Sequence, residues 1–560
     1  MYGTQVLKWL TTAINITTPA TIATPPTSET SGSVVARAEC ENSPTSRQCW
    51  TGNFSIDTDF HHTWPDTGVT VSYDFRIQNR TMAPDGVPKW MAVMNGQFPG
   101  PTIYADWGDT ISVSVTNELE NNGTAIHWHG VRQFGSPDMD GTAGISECPI
   151  PSGQTRTYTF KATQHGTSWY HPHYSVQYGN GLVGGIVING PAVSNYDIDM
   201  GVLTFMDWFH EPIFEVNAAT LHSSGPPTAQ NLLINGTMVY KTLGRYHETT
   251  LTPGMRHRLR LINTGFNNHV HVKLEDHPFE VIAVDFTAIE PYVTDSLSIG
   301  IGQRYDVIIE ANQTNNSTAR AIFHYDGSTT PVDISTTTEL PTGCHDEANV
   351  EPWVRTAVPQ NVPEELLLGF QSNDTTVGET LVQWLINGSR IAVNHSYPTM
   401  QGLIDGVSDW PKDNNVYKLG QANKWWYWVI QAGGETGPPD HPIHLHGHDF
   451  HVLGSARNRT WDGDISTLRF SNPPRRDTAM LPSLGYLVLA FESNNPGIWL
   501  MHCHVPFHQS QGFALQFLER EDEILQMIDT AAVEDRCVAW REFATARIEH
   551  TPGDSGIRLH

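Results

Sequence analysis

The 560-residue sequence predicts an all-β chain of several consecutive sandwich or barrel domains. Three observations carry that reading. Apolar and polar residues alternate in many short runs, the period of a strand with one buried face. Gly and Pro, 47 and 36 residues, punctuate the runs. A His-rich pattern in the first third of the chain returns in the last third, as a repeated unit would.

In chain order, the alternating runs are Ile111–Val115, Arg156–Phe160, His257–Leu261, Tyr305–Ile309, Trp425–Ile430, Tyr486–Phe491 and Phe513–Leu518. One helix is predicted, over Glu521–Phe543, where Ile524, Ile528 and Ala532 recur at i, i+4. At roughly 150 residues per domain the length suits three or four domains. Asn189-Gly-Pro191 and the Pro-containing Val358–Pro363 mark boundaries near 190 and 363. The predicted units are 38–190, 191–363 and 364–560, after a 1–37 pro-segment or atypical signal region.

Composition narrows the function. Acidic residues outnumber basic ones 59 to 32, a net charge of −27. Such a surface argues against a nucleic-acid partner, which needs Lys and Arg for phosphate. No run of ~18 apolar residues appears, so no membrane span is predicted. Sequons at Asn15, Asn53, Asn79, Asn122, Asn235, Asn312, Asn315, Asn316, Asn373, Asn387, Asn394 and Asn458 suit a secreted protein carrying N-linked glycans. Six Cys in a chain this long are a few staples plus one or two working thiols. The 27 His are the unusual number.

Four His clusters stand out: His127-Trp-His129, His171-Pro-His173, His441-Pro-Ile-His444-Leu-His446, and His502-Cys503-His504 followed by His508. In a strand, residues i and i+2 share a face, so each His-x-His pair sends two imidazoles to one side. Four converging pairs can enclose a small metal cluster. Cys503, between His502 and His504, faces the other way and belongs to a second site that His441 and His508 can complete. Two imidazoles and a thiolate in a trigonal site form a blue-copper electron-transfer centre. Zinc is disfavoured, since a thiolate tied to two other ligands brings it no advantage. A single pair, such as His269-Val-His271, reads as ordinary strand residues.

The four motifs, in this order and spacing, resemble those of the multicopper oxidases, and more closely the laccases of filamentous ascomycete fungi. The resemblance extends from about Ala38 through Cys49-Trp, Ala125-Ile-His-Trp-His-Gly, Glu147-Cys-Pro-Ile-Pro, Gly166-Thr-Ser-Trp-Tyr-His, Leu233-Ile-Asn-Gly-Thr, Gly302-Gln-Arg-Tyr-Asp-Val, Asn472-Pro-Pro-Arg-Arg-Asp and Asp554-Ser-Gly-Ile. It implies three cupredoxin-like Greek-key domains and four copper ions, with dioxygen as co-substrate. Type 1 copper would bind His441, Cys503 and His508, and type 2 copper His127 and His444. The type 3 pair would bind His129, His171, His173, His446, His502 and His504. Phenolic or aromatic amine substrates would give up single electrons beside His508. Asp140 would help move protons, and Phe513 would occupy the axial, non-ligating position of type 1 copper. The resemblance also implies a secreted monomer and the disulfides Cys40–Cys49 and Cys148–Cys537. A tail cut after Ile557 would plug the channel to the trinuclear site. A ferroxidase, or a copper-binding homologue with little turnover, is the alternative.

The chain departs from the family pattern at three places. Pro172 replaces the usual Ser between two ligands; Pro sits badly inside a sheet and would shift the type 3 geometry. Gln230 stands where the family has a carboxylate facing the phenol, and an amide does not accept a proton as a carboxylate does. From Asn312 to Arg320 the chain is short, which leaves Cys344 without its family partner and would strain the middle domain.

Overall fold

The computed structural model describes residues 41–547, apart from 224, 313–316, 319–320, 326–344, 348–349, 375–379 and 433–439. Each predicted run lies in a strand, or begins one residue before it in the case of Phe513. Among the described residues, no sheet crosses residue 190 or 363.

The first group, from Thr70 to Asn189, forms two four-stranded sheets. In one, Thr70–Met82 pairs antiparallel with Lys89–Met94 and parallel with Thr110–Asn117. Ile111, Val113 and Val115 alternate into the core, and Ser112, Ser114 and Thr116 face outward against Thr159, Thr157 and Thr155. This is the one-sided strand that a period of two encodes. The second group, Ile198–Tyr325, centres on a six-stranded sheet. The third, Glu364–Glu519, stacks a six-stranded sheet and a five-stranded one. The architecture is three cupredoxin-like domains with short C-terminal helices.

The middle domain corrects the one-sided reading of two strands. Arg256–Asn263 and Arg304–Glu310 are buried on both faces. The alternating polar residues are satisfied inside: Arg258 pairs with Asp306, and Arg260 with Asp199. The shortened region still supplies a strand, Ala321–Tyr325, parallel to His247–Leu251. Cys344 lies outside the described residues.

The predicted C-terminal helix is two helices, Glu521–Met527 and Thr530–Arg547. Ile528 breaks it with extended backbone, φ −113° and ψ 155°. Cys537, on the second helix, forms a disulfide with Cys148 in the first domain. Cys49 is also disulfide-bonded; Cys40 and the Asp554–Ile557 tail lie outside the described residues. Among the described residues, no helix is long and apolar enough to cross a membrane.

Candidate functional site

Two hairpin-like strand pairs bring the histidines together. Ile126–His129 runs antiparallel to Gly166–Pro172, with His127 opposite His171. His441–Leu445 runs antiparallel to Gly497–Cys503, with His444 opposite His502. The first pair belongs to the first domain and the second to the third. All eight imidazoles of the four His-x-His pairs are buried.

Backbone and carboxylate acceptors fix the rings. The Nδ1 atoms of His127, His444 and His502 donate to the carbonyls of Asp140, Asp477 and Cys503 at 2.8–2.9 Å. His171 Nδ1 donates to Pro172 O at 3.1 Å, and His446 Nδ1 to Asp140 Oδ2 at 2.9 Å. An occupied Nδ1–H leaves a lone pair on Nε2, the arrangement that outer-shell partners give to metal-binding histidines. The Nε2 atoms of His127, His171, His173 and His444 are buried and have no partner. Donor atoms fall within 4.8 Å of one another in four overlapping groups, His127/His444/His446, His127/His129/His171, His173/His446/His502 and His129/His444/Asp477; His504 belongs to none of them, and its Nε2 lies 3.1 Å from His129 Nδ1. Buried polar atoms without partners are costly, and metal ions would satisfy this set.

On its other face the Gly497–Cys503 strand sends Cys503 to a separate triangle. Its Sγ lies 3.6 Å from His441 Nδ1 and 3.5 Å from His508 Nδ1, and those two nitrogens are 3.2 Å apart. The centre of a triangle with those sides is about 2.0 Å from each corner, a metal–ligand distance. Burial pushes the Cys503 thiol up and His441 well down, and lowers His508 to about 3. The imidazoles are therefore neutral ligands, and a bound cation would be needed to ionise the thiol. His508 alone of the three is only half-buried. Trp384 packs against both imidazoles, at 4.8 and 4.9 Å between centroids. Phe513 is 5.2 Å from His441, edge-on.

Asp140 is fully buried; burial alone would raise it, but His127 and Thr142 hold it below the usual carboxylate range. Gln230 is exposed, and its Oε1 accepts the backbone N–H of His210 at 2.9 Å. No described hydrogen bond or ring contact joins it to His508. His269 and His271 belong to none of the donor groups.

Pro172 does not disturb the sheet. His173 N donates to Ala125 O at 2.8 Å, so Ile126 and Pro172 form the next, non-hydrogen-bonded pair of the ladder. The Pro nitrogen then faces the Gly184–Asn189 strand, whose pairing ends at Tyr170. No ladder bond is lost there.

Four residues of the site were not singled out from sequence. Asp477 meets His129 Nε2 at 3.2 Å, and Arg304 grips it with both terminal nitrogens. Gly302, at φ +88°, packs its backbone on the imidazoles: an added Cβ would lie 3.0 Å from His129 Cε1 and 3.1 Å from His504 Cδ2. Trp384 completes the set. Gly302, Arg304 and Asp477 sit inside quoted motifs, which was the available signal.

The multicopper oxidase family models match residues 76–193, 199–338 and 384–523. The chain is 47% identical over 456 residues to Laccase-3 of Botryotinia fuckeliana, covering 75% of this chain and all of that one. It is 40% identical to the laccase of Cryphonectria parasitica, over 92% of this chain and 94% of that one. The crystal structure of the laccase from Botrytis aclada superposes with a TM-score of 0.86 at 39% identity, covering 92% of this chain and 99% of that chain. The sealed histidine cluster, the neighbouring Cys503 triangle and these relatives agree: the chain belongs to the multicopper oxidase family, as a laccase-type oxidoreductase with copper cofactors.

Proposed function

We propose that the protein is a secreted monomeric oxidase of phenols and aromatic amines that reduces dioxygen to water. The carrying observation is Cys503, whose thiol serves one donor triangle while its neighbours His502 and His504 serve the other cluster. When bound, copper would supply the one-electron and dioxygen chemistry: His441, Cys503 and His508 would hold a type 1 ion, His127 and His444 a type 2 ion, and His129, His171, His173, His446, His502 and His504 a type 3 pair.

The residues set the path. His508 presents the accessible imidazole edge, with buried Trp384 packed against it, so a phenol can approach at His508. Cys503 offers a single-residue covalent route toward His502 and His504. Asp140, anchored by Thr142 Oγ1 at 2.5 Å, orients His446 and is a carboxylate placed to pass protons. Phe513 brings only carbon beside His441, which would favour the reduced state of an ion held there. Gln230, standing in place of a carboxylate, would give phenol deprotonation only weak assistance, since an amide is no general base and its Oε1 already accepts the His210 N–H. Exposed Asn53, Asn387, Asn394 and Asn458 are suited to carry glycans.

Metal analysis and oxygen uptake on purified protein test this. Four coppers per chain, an intense blue absorption and oxygen consumed with a phenolic dye are expected. A blue protein that consumes no oxygen would instead be a copper-binding homologue.

A further inference from the structure

Outside the donor groups, a polar cavity opens between the 59–62 segment of the first domain and the third domain. Its volume is about 50 Å³, room for one or two waters at roughly 30 Å³ each. Asp59, His61 and His62 line one side, and Asp449, His451, Arg475 and Glu492 line the other.

The walls are under-satisfied. Asp449 is buried; its Oδ2 lies 3.2 Å from His61 Nε2 and accepts Gln164 Nε2 at 3.2 Å, but its Oδ1 has no partner. His451 Nδ1 is also buried without a partner. Arg475 is 5% exposed, and Arg475 Nε is buried without a partner; its guanidinium lies 5.7 Å from the Phe60 ring, with Asp59 and Asp449 as its nearby opposite charges. Such atoms around a small polar cavity call for water.

The inner wall reaches the histidine cluster. Gln164, which holds Asp449, also donates to the carbonyl of Gly130, the residue after His129. Gly130 lies against Asp477, where a Cβ would clash with the carboxylate. Asp477 in turn meets His129 and His444.

We propose that this cavity is an entry for the protons that dioxygen reduction consumes, with Asp449 the carboxyl that carries them inward; this rests on the oxidase reading above. Reducing one dioxygen to two waters takes four electrons, from four substrate oxidations, and four protons. The cluster is sealed, so the protons must cross the protein. In each passage the Asp449 carboxyl releases its proton inward, past Gln164 and the Gly130 turn to the sealed cluster where dioxygen is reduced, then takes another from the cavity. Asp59, His62 and Glu492 collect protons at the mouth.

The electrostatics suit a carrier. Burial raises Asp449 to about 7, and the charge of Asp477 pushes the same way, against Arg475, Arg132 and Arg304. A carrier with its midpoint near ambient pH both binds and releases protons readily. Burial, reinforced by Arg475, holds His61 well below its usual range and His451 at about 3, so neither competes near neutrality.

The test is Asp449→Asn in the copper-loaded enzyme. Fully reduced protein mixed with dioxygen should reoxidise at least about tenfold more slowly at pH 7, with a larger solvent deuterium effect. Reduction of the blue site by a phenol should be unchanged. Infrared titration should lose a carboxyl band with its midpoint near pH 7. A variant with full colour and copper content that reoxidises at the wild-type rate and pH dependence overturns the proposal. If Asp449→Asn does not fold, Glu492→Gln with His62→Gln at the mouth should slow reoxidation in dilute buffer and recover in concentrated buffer; no change in either buffer overturns it as well. Wild-type protein that never consumes dioxygen would instead sink the oxidase reading.

Discussion

Replacing Arg304 by Met isolates what the copper-free domain contributes to the site. Arg304 is fully buried; its Nη1 and Nη2 donate to Asp477 Oδ1 and Oδ2 at 2.7 and 2.5 Å, and its Nε to Thr167 O at 3.0 Å. One side chain thus ties the middle domain to the first and the third. Met fills similar volume but leaves the buried Asp477 carboxylate with His129, His444 and the Thr478 hydroxyl and no cation beside it. Breaking one side of a buried pair costs about 3–5 kcal/mol. At roughly 2–4 °C per kcal/mol, the melting temperature should fall by at least about 6 °C, read by calorimetry on copper-free protein. Without the guanidinium, the Asp477 carboxyl shifts upward, and its hold on His129 and His444 weakens. Copper analysis should then show ions missing from the imidazole cluster while the blue band persists. Arg304→Lys, which keeps the charge but not the fork, should fall between. A copper-free Arg304→Met protein within about 1 kcal/mol of wild type, loading its full copper, would refute this reasoning.

Cys503→Ser should abolish the blue absorption and lose one copper per chain, and a variant that stays blue would refute the type 1 assignment. Phe513→Met, bringing a thioether to the side of His441, should lower the type 1 potential; redox titration showing no change would place the axial residue elsewhere. Gly302→Ala puts a methyl against His129 and His504 in a left-handed backbone region, so copper in the imidazole cluster should drop with the colour kept. His165 is buried between Phe60 and Trp107, and burial lowers it from 6.5 to about 3. A depressed histidine lends stability that is present above pH 6.5 and lost as pH falls toward 3, on the order of 5 kcal/mol. His165→Phe should therefore flatten the acid limb of apoprotein stability, and an unchanged limb in pH-dependent denaturation would exclude His165 as its source.

The donor residues were legible because strand periodicity is local: His127 and His129, or His502 and His504, share a face whatever the tertiary fold. Cys503 could be assigned to the opposite face on the same ground. Asp477 was not legible as a partner of Arg304, because 173 residues separate them and only the packed domains bring them together. Arg258 and Arg260 looked like the solvent side of a strand; Asp306 and Asp199 make their burial affordable, and neither partner is adjacent in sequence. Pro172 looked disruptive because its effect depends on which way the strand's nitrogen points, a matter of register that composition does not carry. The break at Ile528 likewise goes with Asp529, whose side chain accepts the Ala532 N–H at the start of the second helix, rather than with the apolar repeat.

The division of ligands between domains has a consequence for biosynthesis. His441, Cys503 and His508 all come from the third domain, so their triangle forms once that domain has folded. The imidazole cluster has no complete half: His127, His129, His171 and His173 come from the first domain and His444, His446, His502 and His504 from the third, so it forms only when the two are docked, with Arg304 of the middle domain securing Asp477. Maturation should therefore pass through a coloured but idle species, blue before it can breathe, and metal supplied after assembly should restore colour faster than oxygen consumption.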